Sequence, residues 1–356
     1  MKNKLYLIIA VFLFLGFVLT GNANAEEIIG HIEEITVSVY DQDGNYIFAT
    51  AMGVVKGDRY ISEDNVEYVV EAVNGNRAIA RRVGKVDLLE GTGKELSALT
   101  PLAAEGKKLI GLYFTHNDES YKPGPEVIQG RGEIHNVGQA LQSALEEKGI
   151  RVVRSDNLHL PHDGAAYERS RATALALLKQ RPDAIFDVHR DAVPRKEEYL
   201  KTVDGKQISQ VRLVVGRQNP NRGVNDGFAR QLKAIADKQY PGLIKGIFYG
   251  SGSYNQQLSP RALLFEFGTH VTTKEQAQES TRMLADSINL LLYGAGGKNV
   301  RARENPSAFS TIAWIVGIVI IGLLAYLFVN EGSWEGVVKR IKNFFGREII
   351  DRGDKE

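Results

Sequence analysis

The chain has 356 residues, with 44 Lys and Arg against 43 Asp and Glu, and no cysteine. Without cysteine there is no disulfide framework, no thiolate metal ligand and no cysteine nucleophile. A net charge of +1 argues against a general nucleic-acid binder, because phosphate recognition needs a basic face.

Met1-Lys2-Asn3-Lys4 opens the chain with positive charge. An apolar run follows from Leu5 to about Leu19, and Ala23-Asn24-Ala25 precedes Glu26. This order predicts a secretory signal peptide over residues 1–25, cut after Ala25, with an uncleaved N-terminal anchor as the alternative. Either one sends the next residues across a membrane.

Residues 26–88 read as a small all-β module. Ile35-Thr36-Val37-Ser38-Val39-Tyr40 alternates, Asp41-Gln42-Asp43-Gly44-Asn45 turns, and Tyr46-Ile47-Phe48-Ala49-Thr50 resumes. Further turns fall at Gly57-Asp58 and Asn74-Gly75-Asn76. The module holds one histidine, His31, and no paired chemistry, so a packing, regulatory or partner-binding role is expected of it. Residues 89–107 mix Gly, Ser, Thr, Pro and charge, and read as a linker.

At Lys108 the pattern becomes α/β. Strands are predicted at Leu109–Phe114, Ile150–Val153, Ala184–Val188, Val211–Val215 and Ala262–Phe267. Helices are predicted at Val137–Lys148, Tyr167–Gln180, Asn225–Asp237 and Lys274–Leu292. The alternation predicts a catalytic domain at 108–295 with a mostly parallel sheet and helices on both faces. Ligands in such folds gather at the carboxyl ends of strands.

A second linker is expected at 296–310 and a transmembrane helix at 311–329. Ile312–Val329 carries no charge, and its roughly 27 Å of helix just spans a bilayer core. Trp314 and Tyr326 stand near its ends. The tail at 330–356 holds Lys339, Arg340, Lys342 and Arg347, which predicts a cytoplasmic tail on a single-pass protein of the cell membrane, with its catalytic domain outside. Trp334–Phe345 reads as a short amphipathic helix on the inner membrane surface.

Three pieces of the α/β region carry ionisable groups where burial is expected. They are His116-Asn117-Asp118-Glu119, Asp187-Val188-His189-Arg190-Asp191, and Glu266 within Leu264-Phe265-Glu266-Phe267. A charge there is costly unless paired. Neutral His116 and His189 with the Glu119 carboxylate make an open zinc site, and Glu266 a general base. Glu133 is the alternative third ligand. Arg190 is expected to bind a substrate carboxylate or the developing oxyanion, or to serve as a structural cation. His159 and His162 are placed near the cleft, and His135 on the surface. Tyr254-Asn255-Gln256, after Gly250-Ser251-Gly252-Ser253, reads as a polar loop that grips an amide-rich substrate. That glycine run lacks the Lys-Ser/Thr of a phosphate loop, which excludes nucleotide binding there. The competing readings are a zinc carboxypeptidase-like enzyme and a non-catalytic binding scaffold.

Phe114-Thr115-His116-Asn117-Asp118-Glu119-Ser120-Tyr121, Tyr167-Glu168-Arg169-Ser170-Arg171, Asp187-Val188-His189-Arg190-Asp191-Ala192 and Tyr254-Asn255-Gln256-Gln257-Leu258-Ser259-Pro260, in this order, resemble the stage II sporulation protein P family. The resemblance covers about Lys108 to Leu292. It implies a domain similar to zinc N-acetylmuramoyl-L-alanine amidases, with peptidoglycan as substrate. It implies an amidase cut, an endopeptidase cut of cross-links, and a role in septal wall thinning during endospore engulfment. Stage II sporulation proteins D and M are the implied partners. By resemblance His116 and His189 are zinc ligands and Glu266 the catalytic carboxylate. The amidases' glutamate favours Glu133, the His-x-x-Glu spacing favours Glu119, and Glu119 is the ligand adopted.

Overall fold

The computed structural model describes residues 36–90, 108–294, 333 and 335–340. The expected signal peptide, most of the first linker, the second linker, the transmembrane span at 311–329 and most of the tail lie outside them. Among the described residues no helix is long and apolar enough to cross a membrane. The chain divides into two units, Met1–Gly297 and Lys298–Glu356. In the second unit residues 335–340 are helical, within the stretch where a helix is predicted.

The first unit begins with β1 (Val37–Tyr40), β2 (Tyr46–Thr50), β3 (Arg59–Ser62), β4 (Val66–Asn74) and β5 (Arg77–Lys85). After the linker come β6 (Leu109–Tyr113), α1 (Ile134–Glu146), β7 (Arg151–Arg154), α2 (Ala166–Leu178) and β8 (Ala184–Asp191). The chain continues through β9 (Leu200–Val203), β10 (Lys206–Ser209), β11 (Val211–Gly216) and α3 (Arg222–Gln239). It ends in β12 (Ile244–Gly250), β13 (Ala262–Thr269) and α4 (Lys274–Tyr293). The four helices predicted for the α/β region all form, each within a few residues of its expected bounds. A capping box between Thr273 and Gln276 starts α4 where the sequence places it.

Two features differ from expectation. The first five strands are not a body apart. They continue one 11-stranded sheet in the order β2-β1-β5-β4-β3-β12-β11-β13-β8-β6-β7. The junction is an antiparallel ladder between β3 and β12, running from Gly246↔Ser62 to Tyr249↔Arg59. The sheet is also mixed rather than mostly parallel. Strands β13, β8, β6 and β7 run parallel, but β11 opposes β13, and the β12–β3–β4–β5 ladder is antiparallel. The reversal has a local cause. Between β8 and β11 the chain makes only the β9–β10 hairpin, with no crossover helix, and a parallel return needs a crossover.

Strand alternation separates the two faces of the sheet. On one face Phe186, Val188, Leu213, Leu263 and Phe265 pack against Ile134, Val137 and Leu141 of α1, Phe228 and Leu232 of α3, and Leu284 and Ile288 of α4. Each large apolar side chain buried this way stabilises the fold by about 1.5–3 kcal/mol. On the other face Ile185 and Ala262 meet Ala174 and Leu177 of α2. Val214, Phe248 and Leu264 on that face meet Val37, Val39 and Phe48 of β1 and β2. The sheet therefore curls: Phe48 stacks on Tyr60 at 4.0 Å and reaches Phe248 at 5.8 Å between ring centroids. The alternation that gives Phe186 and Val188 to the helices gives Asp187, His189 and Asp191 to this second face.

Candidate metal centre

The site is assembled where β6 ends. Asp187 on β8 accepts hydrogen bonds from the Thr115 backbone N–H at 2.8 Å and the Thr115 hydroxyl at 2.6 Å. This ties the exit of β6 to its parallel neighbour and aims the following loop back over the sheet. The loop is braced from its far side: Gly132 N–H donates to the Asn117 carbonyl, and Ile134 N–H to the Glu119 carbonyl. Gly132 sits so close that an added Cβ would lie 2.1 Å from the Glu119 carbonyl oxygen.

The structure brings His116, Glu119 and His189 together, all buried, with one potential ligand atom from each lying within 4.8 Å of the others. Glu119 Oε1 is 3.4 Å from His116 Nδ1 and 3.3 Å from His189 Nδ1. Two of the three members of the set are fixed from behind. The Arg190 backbone N–H donates to Glu119 Oε2 at 2.8 Å, and His189 Nε2 lies 3.0 Å from Asp187 Oδ1. An imidazole whose far nitrogen is held by a carboxylate presents its near nitrogen to a metal. Two imidazoles and one carboxylate, with the carboxylate and one imidazole oriented by second groups, are a donor set that zinc accepts with a fourth position left for water.

The charges show the same grouping. Burial alone would raise the Glu119 carboxyl, but His189 and His116 outweigh it and hold it well below the usual carboxylate range. Burial alone would lower the His189 imidazole, but Asp187 and Glu119 raise it well above its ordinary value. Glu266 pairs in register with His189 across β13 and β8, on the same face. Both its carboxylate oxygens are buried without a hydrogen-bond partner among the described residues. Burial pushes this carboxyl well up, opposed by His189 and reinforced by Asp191 and Glu119.

Sequence reasoning missed Arg212. It pairs with Glu266 in the β11–β13 ladder because β11 enters the sheet reversed, starting at the site end. Its guanidinium is fully buried and donates to Asp191 at 2.7 Å and to the Ala49 carbonyl at 2.8 Å. The signal was present: an arginine inside Val211-Arg212-Leu213-Val214-Val215 is as conspicuous as a glutamate inside Leu264-Phe265-Glu266-Phe267.

Other expected residues do different work. Glu133 stands at the start of α1, where it accepts from Tyr121 N–H at 3.2 Å and from Lys274 Nζ at 2.7 Å, outside the donor set. Arg190 alternates to the opposite face from Glu266. Its guanidinium donates to the Ser120 and Glu126 carbonyls and anchors the ligand loop, so it is the structural cation. The Gln256 amide bridges Gly216 N–H and the Val214 carbonyl, and the Asn255 amide donates to the Tyr167 carbonyl and Ser170 Oγ. Both side chains are engaged inside the fold instead of facing substrate, and Tyr254 packs its ring against Tyr167 at 5.3 Å. His135 is buried, not surface-exposed: it packs on Phe114 at 4.2 Å and meets Asp156 at 3.1 Å. His159 bridges the Phe114 carbonyl and Thr173. His162 does border the site, stacked on His116 at 4.1 Å and bonded to Asp118 at 2.6 Å.

The fold and site together define a mixed α/β domain with a buried His/Glu/His cluster compatible with a metal ion and a buried carboxyl on the same sheet face. The family described as Stage II sporulation protein P matches residues 56–289, and the chain belongs to it. The match starts before β3, so most of the β extension falls inside the family's own unit, whereas the motif resemblance begins only at Lys108. Stage II sporulation protein P of Bacillus subtilis (strain 168) is 32% identical over 219 residues, covering 56% of this chain and 54% of that protein. The chain thus spans about half the length of this relative. Among solved structures, the apo form of the N-acetylmuramyl-L-alanine amidase Ami1 from Mycobacterium abscessus is similar at a TM-score of 0.34 and 14% identity, over 52% of this chain and 98% of that one.

Proposed function

We propose that the chain is a zinc-dependent peptidoglycan hydrolase: an N-acetylmuramoyl-L-alanine amidase that also cleaves peptide cross-links. It thins the septal wall during endospore engulfment, with stage II sporulation proteins D and M as partners. Its domain works outside the cell membrane, held by the apolar run Ile312–Val329 and the basic tail. The observation that carries the chemistry is the convergence of His116, Glu119 and His189 within 4.8 Å, with the Glu266 carboxyl, which has no hydrogen-bond partner among the described residues, on the same face. Family membership supports the substrate.

Zinc held by His116, Glu119 and His189 would polarise the scissile carbonyl and bring the pKa of a bound water to about 7. The remaining work falls to side chains of the chain itself. Glu266 accepts the proton of the attacking water and returns it to the leaving amine, which needs a carboxyl whose affinity for protons is above the ordinary. Its burial supplies that. Asp187 keeps the His189 ring in one tautomer, and Arg190 keeps Glu119 in place.

The test is digestion of peptidoglycan sacculi by the purified zinc-loaded chain, followed by mass spectrometry. Release of intact stem peptides supports the amidase. Loss of only a terminal residue supports the carboxypeptidase-like reading instead. Glu266→Gln should retain zinc and lose turnover; if it digests sacculi at the wild-type rate, the assignment of the base is wrong.

A further inference from the structure

Tyr167, in the first turn of α2, borders the donor set. Its ring is edge-on to His116 at 5.4 Å and nearly parallel to His189 at 6.1 Å. The residue is 7% exposed, and its hydroxyl is buried with no hydrogen-bond partner among the described residues. The acidic groups acting on that hydroxyl are Asp187, Glu266 and Glu119, the carboxylates of the site. A buried hydroxyl without a partner is a net cost to the fold, and such groups concentrate where a ligand completes them.

The position of Tyr167 is built. Its carbonyl accepts from the Asn255 amide at 2.8 Å, and from Ser170 Oγ at 3.2 Å. Ser170 Oγ in turn meets Thr115 Oγ1 at 2.8 Å, and Thr115 donates to Asp187, the group that orients His189. Asn255 can enter this network because its backbone, like that of Tyr254, is left-handed, with φ of 55° and 48°. Non-glycine residues hold that conformation only when their surroundings over-determine it. The loop expected to grip substrate thus holds the tyrosine, and one hydrogen-bonded chain ties the Tyr167 backbone to Asp187, which lies 3.0 Å from His189 Nε2.

We propose that the Tyr167 hydroxyl is a further catalytic group, donating a hydrogen bond to the oxygen of the scissile amide as that oxygen gains negative charge in the tetrahedral state. No proton is transferred: a phenol is protonated near neutral pH and acts as a donor. A fixed donor in a dry site contributes most when charge develops on its partner. This inference rests on the amidase reading of the same site.

The test is Tyr167→Phe, which keeps the ring and removes only the hydroxyl. On sacculi or a muramoyl-peptide substrate, kcat should fall by about 10²-fold, the scale for loss of one such donor, with KM and zinc content unchanged. Two readouts do not depend on turnover. The variant should melt at or above the wild-type temperature, since a buried orphan has been removed. It should also lose affinity for a phosphinate analogue of the muramoyl–alanine amide by about the same factor, while a ground-state muramoyl peptide binds Glu266→Gln and Glu266→Gln/Tyr167→Phe equally. A lower melting temperature, a parallel loss of zinc, or unaltered kcat and phosphinate affinity would overturn the proposal. If the wild-type chain leaves sacculi intact yet binds the phosphinate through Tyr167, the amidase reading fails and the donor assignment stands. If the wild-type chain does not bind the phosphinate, the donor assignment fails.

Discussion

Replacing Arg212 with methionine tests the claim that the first five strands and the site-bearing strands are one cooperative body. Arg212 and Asp191 are both fully buried and pair at 2.7 Å. Asp191 also accepts from Ala51 N–H and the Tyr199 hydroxyl, and Arg212 donates to the Ala49 carbonyl. The pair therefore fastens the far end of β2 across the face of β11 and β8. Removing one partner of a buried pair costs about 3–5 kcal/mol, because the other charge is left uncompensated. For a domain of this size each kcal/mol lowers Tm by about 2–4 °C, so the expected drop is about 6–20 °C. The assay is scanning calorimetry of the metal-free protein, so that zinc linkage does not mask the change. The unfolding should remain a single transition, and adding Asp191→Asn should recover part of the loss by removing the orphaned charge. A loss below about 1 kcal/mol, the scale of an exposed pair, would refute the reasoning. So would a second transition in which β1–β5 melt alone.

Asp187→Asn should weaken zinc binding by about 10–100-fold, the usual effect of losing an outer carboxylate, measured by competition with a chromophoric chelator; unchanged affinity would remove Asp187 from the site's support. Zinc uptake should release a proton, because His189 in the metal-free site is held well above its ordinary value by Asp187 and Glu119. The sign follows: affinity rises with pH until that imidazole is neutral in the free protein, and the stability its charge gives the metal-free fold is lost over the same rise. Titration calorimetry in buffers of different ionisation enthalpy reads the proton count, and a count of zero contradicts the assignment. Gly132→Ala should disturb the ligand loop, since its Cβ would meet the backbone at Glu119, not a flexible side chain; an alanine variant with wild-type zinc affinity would show that the loop gives way freely. Deleting residues 36–85 should yield insoluble protein, because it strips β12 of its antiparallel neighbour and leaves an apolar edge open.

The sequence alone determined the helices, most strands and the members of the donor set. Helical periodicity and a capping box are local, and so is the anomaly of His189 or Glu266 inside an apolar run, since burial of a charge has a cost wherever the strand ends up. Arg212 carries the same anomaly inside its own apolar run. What the sequence left open was every choice that depends on a neighbour far along the chain. Glu119 and Glu133 are both near His116 in sequence; only the turn that aims one inward and the Lys274 that engages the other separates them. Arg190 follows His189 directly, and strand alternation sends it to the opposite face. Asn255 and Gln256 read as polar loop residues until the strands they stitch are in place. The direction of β11, and with it the meeting of Arg212 with Glu266, depends on which neighbour the strand selects after a hairpin. Periodicity encodes the face a residue takes, while partner choice is settled by packing across the whole sheet.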